Sequence, residues 1–475
     1  MKMLEKDTDG NINTNNSELY GKLPLILQFG LIAGPFMTMI DTSVVNIAVP
    51  EMANSFSVTL SALQWVLSAY LLALGTFIVL SPYLSKRFGA IRVYSTSVTG
   101  FTAASFFCAI SPSLEVLIIA RIFQGALGAL LTPLAMDILF GKEKRSENIS
   151  PLIGVVLFMA PALGPTAGGF LIQSFGWRSI FLINVPVGIL SALVMYRFRH
   201  LNSAVTGEIK RFDMPGIIIF GVGIFLLLFA SSEGPLYGWL SPFVVSLILV
   251  GVTLIIIYYS TSLRRPSPAV NFKVLKDRVS SLSVMISSLA GVVLFSVIFL
   301  LPVYIESVKG LSALTVGLIL LPQGFIMGIA TVVSNKWASG PKGKPMIIIG
   351  MLLLTLSTVP LVVISPNASL WLFAAILCGR AVSLGFVIQP LLYQVIGKLG
   401  ETDVPDGNAL FNIMERIGGA FGISVLASIF ETSEIHNMSS LHYSSIVAGT
   451  MAFHETMLVL VLVSVGGFVM SLFLL

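Results

Sequence analysis

Residues 25–48 read LILQFGLIAGPFMTMIDTSVVNIA, an apolar run with a single ionisable residue, Asp41. Coiled as an α-helix this run is about 36 Å long, enough to cross the roughly 30 Å hydrocarbon core of a bilayer. Comparable runs recur near 61–82, 93–112, 115–137, 151–173, 179–197, 214–233, 240–262, 281–303, 313–335, 345–364, 369–393, 408–430 and 455–475. The connectors between them are short and leave no room for a water-soluble domain. Only 10% of the residues are charged and 56% are hydrophobic. An average soluble chain carries about 25% charged residues, so lipid must cover much of this surface. The sequence predicts an all-α integral membrane protein with roughly fourteen transmembrane helices.

The basic residues give an orientation. Of the 27 Lys and Arg, only Arg178 and Lys309 fall on one side of these spans. Arg121, Arg380 and Arg416 lie within spans, and all the others share the opposite side, which the positive-inside rule makes cytoplasmic. Both ends of the chain then lie in the cytoplasm. The net charge of +5 forms no stripe suited to nucleic acid. The polar first residues lack the order of a cleaved signal peptide and read as a cytoplasmic, disordered tail over 1–23. A weak repeat pairs the early connector around Lys86 and Arg87 with a late one around Lys336 and Lys342, and Arg121 with Arg380. It predicts an N-terminal six-helix bundle over 24–200, two inserted central helices over 201–263, and a C-terminal six-helix bundle over 264–475.

Ionisable groups inside lipid are costly and need a reason. Thr38, Thr42 and Asn46 share the helical face of Asp41. A carboxyl so placed suits a proton relay or a counter-ion for a cationic substrate; the alternative is an acid reaching interfacial water. Arg121, Gln124, Gly125 and Gly128 share a face of the fourth span, where Arg121 either couples to transport or is capped by carbonyls. Asp137 lies near the far end of that span and reads as interfacial. In the fifth span Gly164 and Gly168 form a GxxxG pair beside Gly169, Pro161 and Pro165, the pattern of a kinked, close-packed interface. Asn408, Asn412, Glu415, Arg416 and Gly419 lie on one broad face of the thirteenth. Glu415 is a second proton or cation site, or one member of an ion pair that fixes packing. Trp65, Tyr70, Phe158, Met159, Phe411 and Met414, with Asn46, Gln124 and Asn412, are candidates for a loosely selective pocket.

Several chemistries lack their residues. There is no GxxxxGK[ST] loop for ATP, no HExxH or other metal spacing, and no Ser/His/Asp or Cys/His constellation in a cleft. Cys108 and Cys378 sit in separate apolar runs and form no framework. No cofactor and no enzymatic activity are expected, and any work must be driven by a gradient.

The motifs resemble those of the major facilitator superfamily, and in particular its fourteen-span drug:proton antiporter branch, over nearly the whole chain. Asp41 through Pro50 is similar to that branch's first-helix motif, Gln64–Val66 with Tyr70 to its second-helix opening, and Arg121 through Gly128 to the fourth-helix motif. Gly164 through Gly169 resembles the antiporter motif of the fifth helix. Trp177, Arg178, Phe181, Asn184, Pro186 and Gly188 resemble the sixth-helix entry, and Phe212, Asp213 and Gly216 the start of span seven. The resemblance implies a major facilitator fold, a role for the Arg121 position in proton transfer, and export rather than symport. One loop departs. Pro82 through Ala90 has Lys86 where the family usually carries an acid that latches the cytoplasmic gate, followed by Arg87 and Gly89. Either an acid elsewhere pairs with Lys86, or the gate closes differently.

These readings together predict a multi-pass transporter of a bacterial cytoplasmic membrane. It would exchange protons, through Asp41, Arg121 and Glu415, for small amphipathic compounds, without ATP or nucleic acid. Export of a single metabolite, lipid or peptide is the rival within transport; a membrane sensor with a transporter fold is the rival outside it.

Overall fold

The computed structural model describes residues 24–58, 60–140, 164, 167–201, 213–265, 268–311, 313–338, 342–400, 403–439 and 443–474. Among them there is only helix and connection. In chain order the helices are α1 (Leu25–Phe56), α2 (Leu60–Phe77), α3 (Leu80–Phe88), α4 (Ala90–Ala109), α5 (Leu114–Phe140), α6 (167–175), α7 (Ser179–Leu182), α8 (Asn184–Arg197), α9 (Met214–Tyr237) and α10 (Pro242–Ser262). They continue with α11 (Arg278–Val303), α12 (Ala313–Ala338), α13 (Gly343–Thr358), α14 (Leu370–Ile396), α15 (Val404–Ser439) and α16 (Ser445–Leu472). Eleven of the described spans are long and apolar enough to cross a membrane, or twelve when α2 and α3, bent by 54° at their junction, count as one. The chain is a multi-pass membrane protein. The predicted tail over 1–23 and most of the predicted fifth span lie outside the described residues.

Several helices run longer than the apolar spans that predict them, α1, α15 and α16 by the most. α15 runs from Val404 to Ser439 and α16 begins at Ser445, where the sequence had suggested 408–430 and 455–475. The added turns carry Asp406 at one end of α15 and Glu431, Glu434 and His436 at the other. A scan for apolar runs stops at such residues, whereas backbone hydrogen bonding continues past them.

α1, α2, α4, α5 and α8 pack on one another, and so do α11 through α16. α10 packs on α9, and α9 touches both groups, on α2 and on α15. Ser232 of α9 meets Ser68 of α2 at 3.4 Å, and Ser231 meets Ser424 of α15 at 2.9 Å. α9 therefore lies along the seam between the groups. Its start is fixed by Asp213, which caps Gly216 N–H at 3.0 Å and pairs with Arg265 just past α10.

The packing repairs what the sequence breaks. Pro35 cannot donate to the Leu31 carbonyl one turn back. The Tyr94 hydroxyl of α4 donates to that carbonyl at 2.7 Å and accepts from Gly34 N–H at 3.0 Å. Ser191 of α8 donates to the Gly30 carbonyl at 2.7 Å. α1 can thus carry a proline inside lipid because two neighbours satisfy the freed groups. At the other side of the bundle Gly125 of α5 lies against the α2 backbone, and a Cβ there would stand 2.4 Å from the Tyr70 carbonyl oxygen.

Gly125→Ala should therefore push α2 and α5 apart and cost about 1–3 kcal/mol. Gly466→Ala in α16, where a Cβ meets nothing within 4 Å, should leave stability unchanged or slightly raised. Thermal melts of the purified variants in detergent compare the two, and equal melting temperatures would contradict this account of the α2–α5 contact.

Candidate functional site

Asp41 and Arg121, predicted separately, meet as an ion pair between α1 and α5, each about 1% exposed or less. Gln124, one turn from Arg121, links the two. Its Oε1 accepts from Arg121 Nη1 at 2.8 Å, and its Nε2 donates to Asp41 Oδ1 at 3.0 Å and to Ser105 Oγ of α4 at 2.8 Å. Asn184, at the start of α8, donates to Asp41 Oδ1 at 3.4 Å. All three contacts reach Asp41 as donors, the pattern an ionised carboxylate needs. Arg121 Nε donates to the Val66 carbonyl of α2 at 3.1 Å, and its guanidinium carbon lies 3.9 Å from the centre of the Tyr70 ring. Cys108 Sγ donates to Gln124 Oε1 at 3.5 Å.

Tyr70 and Gln124, expected in a pocket, are fully buried within this cluster. Ser105, Cys108 and Asn184 were not singled out for it. Asn184 had its signal in the sixth-helix entry; Ser105 and Cys108 gave none, because a small polar residue in an apolar helix is common. Trp65 is exposed, with its ring 6.3 Å from Phe229 of α9. Asn412 is buried and its amide donates to the Asn408 carbonyl at 2.8 Å; Met414 is half-buried. Glu415 lies against α11, where a Cβ on Gly291 would stand 2.4 Å from its carbonyl oxygen. Among the described residues Glu415 makes no ion pair. Gly164 meets Ser43 of α1, while Gly168 is buried and Gly169 opens on space. Phe158, Pro165 and the Asn46 side chain lie outside the described residues.

Arg380, the counterpart of Arg121, is also buried. It has no carboxylate partner among the described residues: it pairs with the Thr358 hydroxyl and donates to the Val293 carbonyl at 3.0 Å.

The departing loop brings the second charge contact. Lys86, in the last turn of α3, pairs with Asp406, in the first turn of α15. Among the described residues it is the only ion pair between the two helix groups. Asp406 is fully buried, and its other oxygen accepts from Asn271 N–H at 3.2 Å. Next to Lys86, Ser85 donates to Asp137 Oδ2 at 3.1 Å. Arg87 is exposed and bonds the Tyr83 hydroxyl. Gly89 holds φ at 84°, a value L side chains rarely adopt, and turns the chain from α3 into α4 within one residue. Arg178 and Lys309, the two isolated basic residues, are held locally. Arg178 lies 4.3 Å over the Trp177 ring. Lys309 donates to the Ala368 carbonyl at 3.0 Å, and burial draws its ammonium pKa down.

A helical membrane protein with two packed groups and a buried, hydrogen-bonded charge pair has the build of a transporter. Residues 31–423 match the model of the Major Facilitator Superfamily, and the chain belongs to that family, whose members are transporters and not enzymes. It is 30% identical over 439 residues to "Uncharacterized MFS-type transporter YhcA" of Bacillus subtilis, covering 91% of this chain and 80% of that one. It is 26% identical to the "Methylenomycin A resistance protein" of Streptomyces coelicolor, over 85% of both chains, and 26% identical to the "Lincomycin resistance protein LmrB" of Listeria innocua, over 87% of both. Among solved structures it is similar to the human organic anion transporter MFSD10, with a TM-score of 0.61 at 13% identity over 93% of this chain and 98% of that one. It is equally similar to the proton:xylose symporter XylE, with a TM-score of 0.61 at 14% identity over 92% and 94%. At such identities the likeness concerns the fold.

Removing one partner of the central pair leaves a buried charge alone, which costs about 3–5 kcal/mol. Asp41→Asn and Arg121→Gln should each lower the melting temperature in detergent, and the double variant should be less destabilised than the two losses added together. Additive losses would mean that the two charges are not coupled.

Proposed function

We propose that the chain is a proton-driven antiporter that exports hydrophobic or cationic amphipathic compounds, such as drugs, by alternating access. The observation that carries this reading is the Asp41 carboxylate, sealed from water yet held by Arg121, Gln124 and Asn184. A carboxylate in that position can accept one proton, and doing so cancels the charge that holds α1 to α5. Arg121 keeps its charge throughout and is left with Gln124, the Val66 carbonyl and the Tyr70 face. Proton arrival from outside would loosen the contact, and release to the cytoplasm would restore it. Glu415, within the span of α15, is the second carboxylate able to take part. One charge moving through 100 mV gains about 2.3 kcal/mol, enough for roughly fiftyfold accumulation. The drug-resistance names of several relatives support the substrate class.

The reading includes fourteen spans, with both termini cytoplasmic in a bacterial cytoplasmic membrane. α2 with α3, α4 and a fifth span ending in α6 would join the other helices in that count. It divides the chain at 24–200, 201–263 and 264–475; the packing of α1–α8 and of α11–α16, with α9 on the seam, supports the division. Lys86 and Asp406 then form the cytoplasmic latch of the outward-facing state, in which the family's usual acid is replaced by a base.

In everted vesicles, Asp41→Asn should abolish proton-driven accumulation of cationic dyes at matched protein levels, and the purified variant should release no protons when substrate is added. Transport and proton release like wild type would overturn the coupling role. For the latch, Lys86→Asp and Asp406→Lys should each slow transport severalfold, and the double exchange should recover most of the loss. No recovery in the double exchange would show that the contact plays no part in closing the gate.

A further inference from the structure

Arg416 has no part in the scheme above. It is the thirteenth residue of α15, about 18 Å from the start of that helix, too deep for its side chain to reach the end. One side of α15 faces α11, where Gly418, Gly419 and Gly422 close on Ser288, Phe295 and Val292. Another faces α9, through Ser424 and Ser428. Arg416 is on neither of these sides. α15 also touches α2 and α5 across the interface between the helix groups, and Arg416 follows Glu415 directly in its sequence. Both Glu415 and Arg416 are half-buried, and among the described residues neither makes a hydrogen bond or an ion pair.

The contrast with the other two intramembrane arginines is informative. Arg121 is matched by Asp41, and Arg380 by a hydroxyl and a carbonyl. Arg380 leaves only its Nε unpartnered, whereas Arg416, among the described residues, leaves all its donors free, on a helix that borders the interface between the helix groups. The planar guanidinium is the side chain best shaped to hold a carboxylate, and always carries its charge. Glu415 and Arg416 are successive residues, so their side chains leave the helix about 100° apart. A ligand that meets both needs two opposite charges on a rigid frame.

We propose that Arg416 is a substrate-binding residue that takes the acidic group of an amphoteric amphiphile, whose cationic group meets Glu415. The inference rests on the transport reading above and narrows its substrate class: compounds with a carboxylate beside their cationic, apolar body are preferred to those with the cation alone.

Rhodamine B and its ethyl ester form a matched pair, differing in whether the carboxylate is free. Their binding to the purified protein in detergent, read by fluorescence anisotropy without any gradient, tests the site. Wild type should hold rhodamine B about tenfold more tightly than the ester, as a charge-assisted contact implies. Arg416→Gln should weaken rhodamine B alone and remove the preference, and Arg416→Lys should retain part of it. Absence of a preference in wild type, or equal weakening of both dyes in Arg416→Gln variants that melt like wild type, overturns the proposal. Binding as expected without proton-dependent transport in vesicles would leave this site standing and remove the antiport reading instead.

Discussion

Arg121 cannot give up its proton, and it stands where no water can reach it. The helices packed around it each supply part of the answer. α1 gives the Asp41 carboxylate, α2 the Val66 carbonyl and the Tyr70 ring, and α5 the Gln124 amide. α4 and α8 hold those groups in turn through Ser105, Cys108 and Asn184. The close approach at Gly125 is what brings the α2 backbone within reach. A single charge thus dictates the spacing and rotation of five helices. Asp41 is the one carboxylate among the described residues that is paired with it.

The C-terminal group solves a similar problem without an acid. Arg380 is held by neutral oxygens, so no described carboxylate beside it can take up a proton and change its binding. α9 touches α2 through apolar side chains, Phe229 beside Trp65 and Leu228 against Gly75, and reaches both sides through serine hydroxyls.

Much of this was legible in the sequence for a physical reason. Lipid forbids unpaired backbone and unpaired charge, so apolar length announces each helix and every intramembrane ion announces a site. Asp41, Arg121 and Gln124 were found because each breaks an apolar run. Their mutual contact was not, because residues 80 positions apart leave no mark of pairing in a single sequence. Asp406 was missed for the opposite reason. It lies at the edge of an apolar run and reads as an ordinary helix-end acid, although it is fully buried. The repair of the proline break at Pro35 and the bend between α2 and α3 also depend on neighbours, which periodicity within one helix does not reveal.

The Lys86 departure makes sense once the direction of α15 is considered. The first turn of a helix carries a partial positive charge, so an acid on the facing loop would be attracted to it directly. A lysine in that place is repelled unless an acid stands in the same turn. Asp406 occupies that turn, is itself favoured by the helix end, and turns the repulsion into an ion pair. Lys86 therefore makes Asp406 necessary, where an acid in the loop would have made it harmful. The Lys86 side chain is 29% exposed and that of Asp406 is fully buried, so the pair is screened at one end only and stands between a surface contact of roughly 0–1 kcal/mol and a buried one. Removing Lys86 would therefore leave a buried carboxylate with the Asn271 N–H as its remaining hydrogen-bond donor among the described residues, a larger loss than that of a surface ion pair.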